Sequence, residues 1–273
     1  MIEHTYTEPV SKLLALGRPD NRGWRDYLKM GITRADIPEL IRLVEDKDLR
    51  WMEKPDDIPE DEDLTEWYGQ IHAWRALAQL KAEEAIPALL SILHEIDEYG
   101  DDWYGEDSFE VFPMIGPVAI RRLAEYLADT KHGTWARVAA SESLQKMVEA
   151  YPETKEECSA AIVTALKGYK ENDESLNGSM ISDLVQMNAA LDHIGLIEEA
   201  FKSGNVDESV DGDFEDIQVK LGLIEKRTSP RPLWFDDNQV FGSDNLSAIK
   251  KSVKKEKNKR KQEKKSRKRN RKK

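Results

Sequence analysis

The sequence predicts an all-α fold, a right-handed α-solenoid of helix pairs, and three observations carry that expectation. Apolar residues from about 60 to 224 recur at the three-and-four spacing of one helix face and almost never alternate as in a strand. Capping and proline signals sit at the starts of these stripes. A short motif also recurs where three of the helices open.

The motif comes first along the chain. Asp36-Ile37-Pro38-Glu39-Leu40, Ala85-Ile86-Pro87-Ala88-Leu89 and Ala119-Ile120-Arg121-Arg122-Leu123 share a small or acidic residue, Ile, two variable positions and Leu. The first two place proline in an opening turn, where its missing N–H leaves no bond unmade. A proline-bearing acidic loop is expected over residues 52–63. Asp63-Leu64-Thr65-Glu66 then reads as a capping box. The stripe Trp67, Ile71, Trp74, Leu77, Ala78 follows, and after it Ile86, Leu89, Leu90, Leu93. A longer joint, rich in Asp, Glu, Gly and aromatics, is expected from Asp97 to Ser108. Gly116-Pro117 opens the stripe Ile120, Leu123, Ala124, Leu127, and Gly133-Thr134 opens Ala140, Leu144, Met147, Val148. Thr154-Lys155-Glu156-Glu157 reads as a second capping box before Cys158, Ala161, Ile162, Ala165, Leu166, Tyr169. The last full stripe is Ile181, Leu184, Val185, Asn188, Leu191.

Trp74 through Leu90 resembles a HEAT-like repeat of the kind named from phycobilin lyases, and residues 30–224 resemble a group of mainly bacterial HEAT-like domain proteins. Gly204-Asn205-Val206-Asp207 and then Gly212-Asp213-Phe214-Glu215-Asp216 resemble the end of such domains. The resemblance implies about five helix pairs with an extended binding face. It implies no bilin-lyase activity, since the repeat is shared far more widely, and no zinc motif, since the tail has no cysteine. Some helical-repeat proteins of similar plan are DNA glycosylases, so a nucleic-acid-modifying enzyme on this scaffold is the second functional expectation.

The domain reading is a helical repeat domain over 1–224, a linker or capping segment over 225–249, and a disordered Lys/Arg-rich tail over 250–273. Ser229-Pro230-Arg231-Pro232 breaks any helix. Trp234, Phe235, Val240 and Phe241 are too few for a core of their own and are expected to dock back and cap the repeat end.

Charge divides the chain sharply. From Lys250 to Lys273 there are 16 Lys/Arg against 2 Glu, a charge of +14, while the remaining 25 basic and 51 acidic residues give −26. Such a tail cannot bury a core and suits phosphate backbones without sequence choice. Its expected nucleic-acid contacts are Lys254, Lys255, Lys259, Arg260, Lys261, Lys264, Lys265, Arg267, Lys268, Arg269, Arg271 and Lys272. RNA, a ribosome, DNA or the protein's own acidic body are the expected targets, and a solubility or localisation tag is the remaining reading. Without interleaved aromatics the tail implies no base stacking.

The acidic loops carry Trp51, Trp67, Tyr68, Tyr99, Trp103 and Tyr104. Trp51, Trp103 and Tyr104 are the expected contacts for a protein partner, gripping its cations through ion pairs and ring faces. The single cysteine, Cys158, falls on an apolar stripe and reads as a small buried hydrophobe. His4, His72, His94, His132 and His193 show no metal-site spacing. Asp207 to Gly212 matches the opening of a calcium loop, but position 12 would be Gln218 instead of the bidentate Glu. The expectation is therefore a non-enzymatic, cytoplasmic adaptor with no cofactor, no metal and no membrane span. The sequence implies no particular oligomeric state.

Overall fold

The structure is a computed structural model that describes residues 5–19, 23–50 and 64–230. The chain divides into two compact units, Met1–Arg227 and Thr228–Lys273. The second lies almost wholly outside the described residues, and with it the expected linker aromatics and every tail contact. Trp51 and the 52–63 loop also lie outside them. Among the described residues every regular element is a helix.

The α-helices of the first unit run in order α1 (Ile37–Val44), α2 (Lys47–Arg50), α3 (Gly69–Gln79), α4 (Ile86–Ser91), α5 (Glu95–Tyr99), α6 (Asp102–Ile115) and α7 (Ile120–Ala128). They continue with α8 (Thr134–Ala150), α9 (Lys155–Leu166), α10 (Glu174–Gln186), α11 (Ile194–Lys202), α12 (Glu208–Asp211) and α13 (Phe214–Lys220). Two rows form. In one, α3, α6, α8, α10 and α12 each pack on the next; in the other, α1, α4, α7 and α9 do the same, with α7 and α9 also packing on α8.

The recurring motif has a structural meaning that extends beyond the three copies visible in sequence. A short 3-10 turn feeds directly into α1, α4, α7, α9 and α11, at Arg34–Asp36, Glu83–Ala85, Pro117–Ala119, Pro152–Thr154 and Ala190–His193. The conserved geometry tightens the first turn, so the orphan N–H groups of the helix start are partly used inside it. The connection from the preceding helix repeats as well. After α3 the chain passes through Lys81 at φ 51°, and after α10 through Asn188 at φ 55°. In both, the next amide reaches back across the helix end: Ala82 N–H to the Leu77 carbonyl at 3.0 Å and Ala189 N–H to the Leu184 carbonyl at 2.9 Å. These are left-handed helix ends that satisfy the last carbonyls. After α6 the connection is shorter: Gly116, at φ 118° and ψ −176°, leads straight into the 3-10 turn Pro117–Ala119.

Two sequence expectations are corrected here. The Asp97–Ser108 joint is mostly helical: α5 ends at Gly100, and α6 begins at Asp102 with the Asp101 carboxylate accepting from Tyr104 N–H at 3.1 Å. The Thr154 capping box does not form, because the 3-10 turn already occupies that entry and Thr154 Oγ1 donates back to the Tyr151 carbonyl at 2.7 Å. The capping boxes present are Thr33 with Asp36 and Asp213 with Asp216.

The N-terminal segment lies across α3 and closes that end of the core. Tyr27 N–H donates to Gln79 Oε1 at 2.9 Å, and Gln79 Nε2 returns a bond to the Arg25 carbonyl at 2.7 Å. Trp74, Tyr27, Tyr104 and Phe112 are the largest fully buried side chains. At the other end, Arg227 is held by Asp213 at 2.6 and 2.7 Å and by Asp216 at 2.7 Å, which fastens the end of the first unit to α13.

Candidate functional site

Most of the buried polar groups are tied up in structural bonds, the Trp67 indole N–H and the Tyr126 hydroxyl excepted. Asp107 on α6 receives both arms of Arg75 on α3, at 2.6 and 2.9 Å, and the Trp74 indole N–H at 2.6 Å. This pairs a buried guanidinium with its carboxylate and leaves no face open for substrate. His72 lies between Tyr27 O–H (2.8 Å) and the Gly17 carbonyl (2.9 Å). A carbonyl only accepts, so Nε2 carries the proton and Nδ1 accepts from the phenol. Burial pushes the imidazole down to about 4, so it stays neutral at physiological pH. Cys158 is buried against Thr154, to whose Oγ1 its Sγ donates at 3.7 Å, and burial raises the thiol to about 11. At neutral pH it is a thiol without nucleophilic character.

The residues of the calcium-like loop are used locally. Asp207 caps α12 through Ser209 N–H at 3.0 Å, and Ser175 O–H reaches its other oxygen at 3.3 Å. Gly178 is required opposite: a Cβ there would stand 2.8 Å from the Asp207 carbonyl oxygen. Among the described residues no group of three or more His, Cys, Asp or Glu is placed to hold a metal ion. No described helix is long and apolar enough to cross a membrane.

The expected protein-contact residues separate. Tyr104 is fully buried, its ring 4.8 Å from Trp74 and its hydroxyl donating to the Leu89 carbonyl at 2.8 Å. It is a core residue because α6 continues through it, and a helix residue on the inward face cannot serve a partner. Trp103 is half-buried, edge-on to Tyr68 at 6.1 Å, with the Arg18 guanidinium 5.7 Å from its ring.

The aromatics that do face solvent are Tyr99, 45% exposed, and Trp135, 54% exposed. They stand on α5 and on the first turn of α8, which Asp97 joins. Asp97 Oδ1 accepts from Trp135 N–H at 3.0 Å and Oδ2 from Ala136 N–H at 2.9 Å. Gly133 makes room for this, since a Cβ there would fall 2.2 Å from the Asp97 carboxyl carbon. Beside it the rings of Tyr126 and His132 stack 3.6 Å apart and nearly parallel. The buried Tyr126 hydroxyl has no hydrogen-bond partner, and the neighbouring Asp97 and Asp129 add to the burial that raises its pKa. Asp129 is held below the usual carboxylate range, first by the Lys131 backbone N–H. Trp135 escaped the sequence reading because it sits one position off the Ala136, Ala140, Leu144, Met147 stripe. That displacement is itself the signal of a solvent-facing ring.

A concavity of about 490 Å³ runs across the ends of α3, α6 and α8, lined by Gln79, Lys81, Glu110, Met114, Lys146 and Glu149. Lys146 is 2.7 Å from Glu149, so this groove is not a contiguous basic surface. Other cations among the described residues are paired as well. Lys12 pairs with Glu8, Lys29 with Asp26, Arg34 with Glu84, Arg42 with Glu39, Arg121 and Arg122 with Glu125, Lys202 with Glu198 and Lys220 with Asp211. Compared with protein-family models, curated proteins and solved structures, the chain matches none of them.

Proposed function

We propose that this protein is a non-enzymatic binding protein, a right-handed HEAT-like α-solenoid whose body takes a protein partner and whose basic tail contacts the phosphates of RNA or a ribosome. The neighbour-to-neighbour packing of two helix rows, with the same 3-10 entry five times, supports the solenoid reading. The observation that carries the division of labour is electrostatic. The body is acidic and many of its described cations are paired with its own carboxylates, whereas the tail concentrates +14 in 24 residues. A phosphate backbone is repelled by the first and attracted by the second. An enzyme acting on nucleic acid would need a positive groove around a carboxylate, and the groove over α6 and α8 pairs its Lys146 instead.

The test is binding of labelled single-stranded RNA to the full chain and to a chain ending at Ser247, across a salt series. The full chain is expected to bind with a log–log salt slope of several units, about 0.7 per neutralised phosphate, and the shortened chain not to bind. Equal binding by both would place nucleic-acid recognition on the body and overturn the reading.

A further inference from the structure

We propose that the edge of the body formed by α5, the end of α7 and the first turn of α8 is a docking surface for an arginine- and lysine-rich segment of a partner protein. This rests on the reading that the body takes a protein partner, and it names the chemistry of that partner. Two features meet at this edge. Trp135 and Tyr99 present large exposed rings on elements that Asp97 fastens together. Ring faces attract guanidinium and ammonium groups through their quadrupoles, indole most strongly. Glu98 is exposed on α5 and Asp129 at the end of α7, so carboxylates flank the rings. Against them the neighbouring formal cations are Lys131 and the buried Arg137, whose guanidinium is held by the Leu127 carbonyl and Asn172; His94 stands 3.9 Å from Glu98 and His132 3.9 Å from Asp129, and burial lowers the His132 pKa.

An acidic or apolar segment would meet the carboxylates without compensation. A nucleic acid would stack on the rings but set its phosphates against Glu98 and Asp129.

The experiment uses the full chain and a labelled Arg-Gly repeat peptide, followed by fluorescence anisotropy at moderate salt, with a Glu-Gly repeat as the control. Saturable binding of the cationic peptide is expected, with none of the acidic one. Trp135→Ala is expected to weaken it roughly fivefold, the scale of one cation–π contact, and the pair Glu98→Gln with Asp129→Asn to weaken it further. Leu191→Ala, which removes an equally exposed apolar side chain elsewhere, is expected to leave it unchanged. All four substituted positions are solvent-facing, and matching melting curves would establish intact folding. Absence of saturable binding overturns the proposal. Binding that ignores Trp135→Ala overturns the assigned site while leaving a protein-binding body in place. RNA binding that is lost with Trp135→Ala would make the occupant nucleic acid and overturn it as well.

Discussion

Asp183 is the residue where sequence and environment conflict most. It sits on α10 with its side chain buried, accepting one bond from Ser141 O–H on α8 at 2.5 Å. Burial, with Glu142 and Asp211 nearby, pushes its carboxyl up to about 8, and Lys146 only partly opposes this. Glu142 is itself raised by burial. The folded state therefore binds a proton that the unfolded state has already released above its ordinary value near 4. Stability from this group is complete below about pH 4, falls as pH rises toward 8, and is flat beyond. Asp183→Asn keeps the acceptor for Ser141 and removes the ionisation. The gain in stability over wild type is expected to be near zero at pH 4 and to grow to on the order of 2 kcal/mol above pH 8, since a buried ion costs several kcal/mol. Chemical denaturation of both proteins at pH 4, 6 and 8.5 measures it; a pH-independent difference would mean that Asp183 is already ionised in the fold.

At the scale of elements, the turn after α3 offers a cleaner test than any helix. Lys81 holds a left-handed conformation that costs a side-chain-bearing residue about 1 kcal/mol or more. Glycine adopts it freely but loses more freedom on folding. Lys81→Gly is expected to stabilise the fold by about 0.5–1 kcal/mol, and Asn188→Gly by less, because asparagine tolerates this region better. Denaturant midpoints would decide it, and a loss of stability at Lys81 would mean that its side chain contributes more than its backbone strain costs.

The same turns show what the sequence discloses and what it withholds. The helix starts at Ile37, Ile86 and Ile120 are legible because one β-branched residue marks each. Those at Lys155 and Ile194 carry the same 3-10 entry, but the motif residues have changed, so only the backbone reveals the repeat. Helix α6 was hidden by its composition. Gly105 and Pro113 lower its intrinsic propensity, and its charged and aromatic residues read as a loop. Tertiary burial of Tyr104, Val111 and Phe112 against α3 and α8 outweighs that local preference. The candidate edge was only half visible. Tyr99 lay among the aromatics noted, whereas Trp135 becomes meaningful once Asp97, 38 residues earlier, is seen to bind its backbone.

For the whole molecule, charge dominates. A body of −26 repels itself, and its ion pairs are mostly between exposed side chains, which contribute little. Added salt screens the long-range repulsion more than it weakens short contacts, the Debye length being about 8 Å at physiological ionic strength. The melting temperature of the full chain is therefore expected to rise with sodium chloride at neutral pH. A fall over the same range, followed by calorimetry, would mean that local pairs and the tail's attraction outweigh self-repulsion.

Within each row the packing runs from one helix to the next, and five helices begin with a 3-10 entry. On the solenoid reading proposed above, length is a free variable. Duplicating the stretch from one entry to the next would give every new helix a ready-made neighbour and disturb no distant pairing. The ends are different, because the N-terminal segment over α3 and the Arg227 clasp on α13 each occur once. Gain and loss of units in descent should therefore fall between residues 117 and 190, while the two terminal closures persist.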